Sequence, residues 1–159
     1  HNYKNYTYKN NQELFDNATN AYNNMKNAAQ KDGIYLNIVS RYRSYDVQEY
    51  LYKSYEEKYT NVDTFSAKPG YSEHQTGLAF DLNGEDPRTS VKDKFEFTKE
   101  YEWLRNNAYK YGFILRYPKG KSDITGYKFE PWHYRYVGAN ISYKLREGNA
   151  TLEEYLNIY

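Results

Sequence analysis

Apolar side chains recur at spacings of three and four over residues 12–31, the pattern of an amphipathic helix with one face on a core. Gly33 lies just beyond this stretch, where glycine commonly ends a helix. Residues 35–39 are apolar and rich in β-branched side chains, which predicts a short strand. We therefore expect a helix and then a strand, after an extended polar and aromatic lead-in over residues 1–10.

Three further helices are predicted from caps and periodicity. One covers residues 46–59, and another covers residues 99–111 with Thr98 as its N-cap. A short last helix follows Thr151, because this threonine and Glu154 three residues later match the capping-box pattern. These helices alternate with strand-like segments along the chain.

Residues 78–82 alternate as a strand should, after a loop-like stretch at residues 73–77 and before a polar surface loop at residues 83–94. Residues 113–117 and 127–136 read as two strands of a hairpin. With no repeat and no domain boundary, the sequence predicts a single α+β domain over residues 1–159. We expect a small, mainly antiparallel sheet with helices packed around it.

Composition narrows the range of possible partners and chemistries. The 159 residues suit one domain, and the 22 basic and 21 acidic residues create no field that favours nucleic acid or an anionic membrane. The absence of cysteine excludes a cysteine nucleophile and disulfides. The 22 tyrosines could form a sugar-binding surface, but their even spread favours ordinary packing. Because the sequence begins at His1 and not Met, we expect a missing N-terminal segment with an export signal or anchor.

The chemistry centres on the two internal histidines. His74 precedes Asp81 by seven residues, and His133 follows Glu130 by three. Imidazole and carboxylate groups are good zinc ligands, so His74, Asp81 and His133 could share one ion at the sheet. They converge only if the chain turns between His74 and Asp81, and Gly77 makes that turn cheapest. Either histidine alone is better explained as an incidental surface or strand residue; the pair favours a metal site.

The remaining acid, Glu130, would be free to act as a base beside an ion that keeps a fourth position open for water. Pro131 cannot donate to a ladder, so a bend there would turn Glu130 and His133 toward one cavity. Trp132 would pack beside them and help to keep the site dry.

The motif Ser72-x-His74-x-x-Gly77-x-Ala79-x-Asp81, followed by Glu130-x-Trp132-His133, resembles the signature of the VanY-type zinc D,D-carboxypeptidases. It is also similar to that of the L,D-carboxypeptidases that trim bacterial wall peptides. The resemblance extends upstream through residues 40–44 with Gln48, and downstream through residues 134–138. It covers most of the chain, from about residue 13 to residue 156.

The resemblance implies roles for individual residues. It makes His74, Asp81 and His133 the ligands of one Zn²⁺ and Glu130 the catalytic base and acid. It also places a positive group, Arg43, near the scissile carbonyl or the terminal carboxylate of the substrate. Further substrate-binding candidates are Gln48, Ser72 and Trp132.

The implied activity is release of the C-terminal D-alanine from peptidoglycan stem peptides in the bacterial envelope, outside the cytoplasm. If the bond is D-Ala–D-Ala, its removal would reduce the target of vancomycin-type antibiotics. We expect no nucleic-acid partner and no membrane contact within residues 1–159. The alternatives are an L,D-carboxypeptidase, a lysin-like wall-peptide endopeptidase, and a non-enzymatic wall-binding module with a structural zinc.

Overall fold

Four short strands form one antiparallel sheet in a computed structural model that describes residues 2–158. The order of the strands in the sheet is β1-β2-β4-β3. Their bounds are Asn37–Ser40 for β1, Ala79–Asn83 for β2, Phe113–Leu115 for β3 and His133–Tyr136 for β4. Strands β3 and β4 pair directly, so the predicted hairpin is present. The predicted α+β class with a small antiparallel sheet is confirmed.

The central pair of strands, β2 and β4, sets the register that matters for the site. Asp81 on β2 is the antiparallel partner of His133 on β4, and it also pairs with Ser40 on β1. Because side chains on a strand alternate between faces, this register fixes which groups can meet. A one-residue slip of β4 would move His133 away from Asp81.

Six α-helices surround the sheet within residues 2–158. Their bounds are Gln12–Lys31 for α1, Tyr45–Glu56 for α2, Lys99–Asn107 for α3, Ser122–Thr125 for α4, Ala139–Gly148 for α5 and Leu152–Leu156 for α6. The bounds of α1 match the prediction, and the Asn11 side chain caps it by accepting from the Leu14 N–H. None of the helices within residues 2–158 has the length and apolar content that spanning a membrane requires.

The core lies between α1 and the central strands. Tyr22 and Met25 of α1 are buried with Phe80 and Leu82 of β2, and the Tyr22 and Phe80 rings stack at 5.6 Å. Such packing excludes water from one face of the sheet, which is the main favourable contribution to folding. It also holds β2 in place, because closely packed protein interiors tolerate little displacement.

Several predicted bounds differ from the structure. The predicted strand 127–136 begins only at His133, because Pro131 has no N–H to donate and the chain turns at Pro131 and Trp132. The helix predicted over residues 99–111 ends at Asn107 and continues as a 3-10 turn. Helix α5 was not predicted, and the lead-in closes with a 3-10 turn, Tyr8–Asn11.

Candidate active site

A tight turn brings the first motif into the centre of the sheet. Glu73–Thr76 is a 3-10 helix that ends at Gly77, whose φ of 74° lies in the left-handed region. A Cβ on Gly77 would come within 2.5 Å of the Phe15 ring, so the position requires glycine for space as well as for φ. The turn therefore lets His74 and Asp81 face one another, as the sequence predicted for Gly77.

Three candidate ligands converge at this point. The Nε2 atom of His74 lies 3.3 Å from Oδ2 of Asp81, and Nδ1 of His133 lies 3.0 Å from Oδ1 of Asp81. One donor atom from each of the three residues lies within 4.8 Å of the others, and all three residues are buried. Tetrahedral zinc with bonds of about 2.0 Å needs donors separated by about 3.3 Å. The donor types suit a zinc ion, and the three side chains lie close enough together to share one.

Each histidine is oriented by the nitrogen that faces away from Asp81. Nδ1 of His74 lies 2.7 Å from the carbonyl oxygen of Arg41, which can only accept a hydrogen bond. Nε2 of His133 lies 2.9 Å from Oε1 of Glu73. The two rings therefore offer opposite nitrogens to the shared centre, Nε2 from His74 and Nδ1 from His133.

Glu130 lies beside these residues without belonging to the strand. It is 6% exposed, and its Oε2 is 3.7 Å from Nδ1 of His133. The His133 N–H donates to the Glu130 carbonyl across the turn that Pro131 introduces. Burial, with help from Asp81 and Glu73, raises the pKa of Glu130 to about 7 against the opposing charge of His133. A carboxyl group with this pKa can both accept and return a proton near neutral pH.

The protonation of the other groups follows from burial and charge. Burial opposes ionisation of Asp81, but the two histidines outweigh it and hold the pKa of that carboxyl well below its usual range. Burial lowers the pKa of His133, whereas the hydrogen bonds and charges of Asp81 and Glu73 raise it to about 10. A metal can bind Nδ1 of His133 only when that nitrogen carries no proton, so metal binding and protonation compete at this site.

One cavity of about 450 Å³ contains every residue predicted for the site. Arg43 lines it with 20% of its side chain exposed, and one of its nitrogens lies 3.7 Å from Oδ2 of Asp81. Arg43 also donates to Oε1 of Gln48 at 2.9 Å and to Oγ of Ser40 at 3.2 Å. A cation held at the cavity wall in this way is suited to bind a carboxylate.

The weaker candidates take different positions around this cavity. Gln48 is buried, and its amide nitrogen donates to the Ala67 carbonyl at 2.6 Å, so its polar atoms are engaged with the protein. Ser72 and Trp132 line the cavity and are 5% and 7% exposed. Aromatic side chains form part of the remaining wall, namely Tyr55, Tyr59, Phe65, Tyr117 and Tyr127, and polar side chains such as Asn61, Ser66 and Lys128 also line it. A cavity that combines aromatic surface with a few well-placed polar groups is typical of a ligand site.

Sequence reasoning missed Glu73. The residue lies inside the motif, but no role was predicted for it, because a carboxylate next to His74 in sequence gives no sign of a contact with His133. The signal exists only in three dimensions, where the 3-10 turn directs Glu73 toward the far side of the His133 ring.

The chain matches the family described as VanY, D-alanyl-D-alanine carboxypeptidase, over residues 11–139. It is 39% identical over 157 residues to a D-alanyl-D-alanine carboxypeptidase of Enterococcus faecalis, covering 92% of this chain and 52% of that protein. The chain thus spans about half the length of that curated relative.

Two solved structures resemble this one closely. The LdcB LD-carboxypeptidase aligns with a TM-score of 0.82 at 43% identity, over 89% of this chain and 67% of that one. The vancomycin-resistance D,D-pentapeptidase VanY, in complex with Zn(II), aligns with a TM-score of 0.76 at 38% identity. That match covers 88% of this chain and 82% of the other.

Proposed function

Because the chain belongs to the VanY family of carboxypeptidases, we propose that it removes the C-terminal D-alanine from peptidoglycan stem peptides with the help of one zinc ion. The observation that carries the proposal is the convergence of His74, Asp81 and His133 beside Glu130 in one cavity. Relatives of both D,D and L,D type are carboxypeptidases, which supports the reaction class. We place the activity outside the cytoplasm, where wall peptides are accessible.

We assign the metal to His74, Asp81 and His133, with zinc as the ion that their donor atoms suit. When bound, zinc polarises the scissile carbonyl and lowers the pKa of water from 15.7 to about 7. The protein ligands contribute one negative charge, so a divalent ion would leave a net charge of about +1 at the reacting atoms.

We assign Glu130 as the general base and then the general acid. It takes a proton from the attacking water and delivers that proton to the nitrogen of the departing D-alanine. Its raised pKa, which has burial as its main cause, matches this double task. Trp132 and Tyr117 pack around the site and limit the access of bulk water.

We assign Arg43 to the free carboxylate of the substrate or to the developing oxyanion. Its contact with Gln48 fixes one edge of the guanidinium while part of the side chain stays open to the cavity. Because the polar atoms of Gln48 are engaged, we infer that Gln48 acts by orienting Arg43. Ser72 and Trp132 remain candidates for substrate contacts.

An L,D-carboxypeptidase is the second candidate function, and the higher TM-score and identity with LdcB favour it over an endopeptidase or a wall-binding module. The metal site and the base would be the same for both bonds. The difference would lie in the cavity wall that contacts the penultimate residue, where the chirality changes from D to L.

Incubation with defined stem peptides tests the proposal. The zinc-loaded protein is mixed separately with a pentapeptide ending in D-Ala–D-Ala and a tetrapeptide ending in D-alanine, and the products are weighed by mass spectrometry. A D,D-carboxypeptidase shortens the pentapeptide by one residue, and an L,D-enzyme shortens the tetrapeptide. Cleavage at an internal bond of either peptide, without release of D-alanine, would indicate an endopeptidase. Release of D-alanine from neither peptide would refute the carboxypeptidase assignment.

A further inference from the structure

The carboxylate of Glu73 lies between a candidate metal ligand and two arginines. Its Oε1 atom is 2.9 Å from Nε2 of His133. Its Oε2 atom accepts from Nε of Arg116 at 3.1 Å and from a terminal nitrogen of Arg135 at 2.8 Å. Only 8% of Glu73 is exposed, so these contacts replace water as its hydrogen-bond partners.

Two arginines donate to the other oxygen of this carboxylate. Because guanidinium groups carry only donors, Oε2 of Glu73 can only accept from Arg116 and Arg135. Arg116 is itself held by Glu153 of α6, through two contacts of 2.9 and 2.6 Å. An ionised carboxylate can only accept hydrogen bonds, so Glu73 requires a proton on the nitrogen that faces it.

A neutral imidazole carries one proton, and only the other nitrogen can bind a metal. With the proton of His133 on Nε2, the lone pair is on Nδ1, which faces Asp81 and Glu130. In His74 the roles of the two nitrogens are reversed. The Arg41 carbonyl requires a proton on Nδ1, which leaves the lone pair on Nε2. Each ligand thus has a partner that accepts a hydrogen bond on its far side.

We propose that Glu73 is a positioning residue that holds His133 in the tautomer with Nδ1 free for the metal. The inference depends on the proposed metal site but not on the identity of the substrate. Arg116 and Arg135 contribute by donating to Oε2 of Glu73, which fixes the orientation of the carboxylate and leaves Oε1 facing His133.

The substitution Glu73→Gln distinguishes this role from simple filling of space. Arg116 and Arg135 offer only donors, so the amide oxygen must face them and the amide NH₂ must face His133. That NH₂ donates to Nε2 and favours the tautomer with the proton on Nδ1, which has no lone pair for the metal. Glu73→Met leaves the space filled and favours neither tautomer.

We expect zinc affinity, measured at pH 7.5 by competition with a chromophoric chelator, to fall by about 10–100-fold in Glu73→Gln. The loss in Glu73→Met should be smaller, although that variant leaves two buried arginines without their shared partner. If Glu73 only filled space and paired with the arginines, Glu73→Met should lose more zinc affinity than Glu73→Gln. The visible absorption of Co²⁺ bound to each variant reports independently on whether a histidine has left the coordination sphere.

Glu153→Gln is the matched control. This substitution removes one negative charge from the same cluster, as Glu73→Gln does. The Glu153 side chain contacts Arg116 but not His133. We expect its zinc affinity to stay within about twofold of the wild type while its melting temperature falls. If Glu73→Met does not fold, the comparison of Glu73→Gln with Glu153→Gln decides the question.

The outcomes separate this inference from the proposed function. Wild-type zinc affinity in Glu73→Gln, or an equal loss in Glu153→Gln, would overturn the positioning role alone. A wild-type protein that binds zinc but releases no D-alanine would refute the proposed function and leave the role of Glu73 standing. A wild-type protein that binds no zinc would overturn both.

Discussion

At the scale of single residues, Glu130 is the group whose assignment can be tested most directly. It lies 3.7 Å from Nδ1 of His133, close enough to serve the reacting atoms, and we assign it as a base and not as a ligand. Glu130→Gln keeps the shape of the side chain and removes the base. We expect kcat to fall by about 10²–10⁴ while zinc content, measured by elemental analysis, stays at one per chain.

The control for this prediction is His74→Ala, which removes a proposed ligand and should lose both metal and turnover. If Glu130→Gln also lost its zinc, Glu130 would be a fourth ligand. The site would then have the closed coordination of a structural zinc, as in a non-enzymatic wall-binding module.

Tyr134 is a buried residue whose ring is packed but whose hydroxyl group lacks a hydrogen-bond partner within residues 2–158. Only 1% of the residue is exposed. An unsatisfied buried hydroxyl costs about 1–3 kcal/mol. We therefore expect Tyr134→Phe to leave the melting temperature unchanged or to raise it by a few degrees.

Tyr22→Phe is the matched control, because the Tyr22 hydroxyl donates to the Leu36 carbonyl at 3.2 Å. Its loss should destabilise the protein by about 1 kcal/mol. A decrease of similar size in Tyr134→Phe would show that the Tyr134 hydroxyl has a partner in solution.

At the scale of elements, the short helix α6 depends on its cap. The Thr151 hydroxyl accepts from the Glu154 N–H at 3.2 Å, and a Glu154 carboxylate oxygen accepts from the Thr151 N–H at 2.7 Å. Thr151→Ala should lower the free energy of unfolding by about 0.5–2 kcal/mol, measured by denaturant unfolding. Glu154→Gln keeps an acceptor at the same place and weakens only a part-exposed ion pair with Lys121, so its loss should be smaller. An unchanged free energy of unfolding in Thr151→Ala would contradict a role for the hydroxyl.

The sequence predicted elements well where local patterns act alone. The apolar face of α1 gave both of its ends, and the Thr151 cap gave the start of α6. Helix α5 was missed because it begins after Gly138 with no side-chain cap and carries few buried residues. Strand β4 is shorter than the strand-like pattern predicts, because Pro131 lacks the N–H that a ladder needs and ends the pairing there.

The candidate site also has features that could be predicted from local sequence and features that could not. The convergence of His74, Asp81 and His133 could be predicted because two histidines and two acids stand beside glycine and proline in a specific motif. The partners of the two imidazole rings could not, since the Arg41 carbonyl and the Glu73 carboxylate approach the rings through contacts between distant segments. Such contacts depend on tertiary packing and leave no periodic trace in the sequence.

At the scale of the whole molecule, the buried charges make the metal-free protein sensitive to pH. The pKa values of Glu73 and Asp81 are lowered, so their contribution to stability is complete above about pH 4.5 and is lost as pH falls. The pKa values of Glu130 and His133 are raised to about 7 and about 10. Their contributions are complete below the unfolded values, 4.5 and 6.5, and are lost as pH rises through the folded ones.

We therefore expect the chelator-treated protein to be most stable near pH 5, measured by calorimetry between about pH 3 and pH 9. Added zinc should raise the melting temperature more at pH 8 than at pH 5, because its ligands must lose protons to bind it. A zinc increment that did not grow with pH would contradict the assignment of His133 as a ligand.

The pairing of Asp81 with His133 across β2 and β4 joins residues 52 positions apart in the chain. Until those strands have paired, the donor groups are too scattered to hold an ion between them. If the site holds zinc as proposed, the ion can contribute little to the rate at which the chain folds, and its stabilisation should appear almost entirely as slower unfolding. In a proteolytic environment, the zinc-loaded protein would then persist because it rarely opens, whereas a molecule newly stripped of its ion would be quickly degraded.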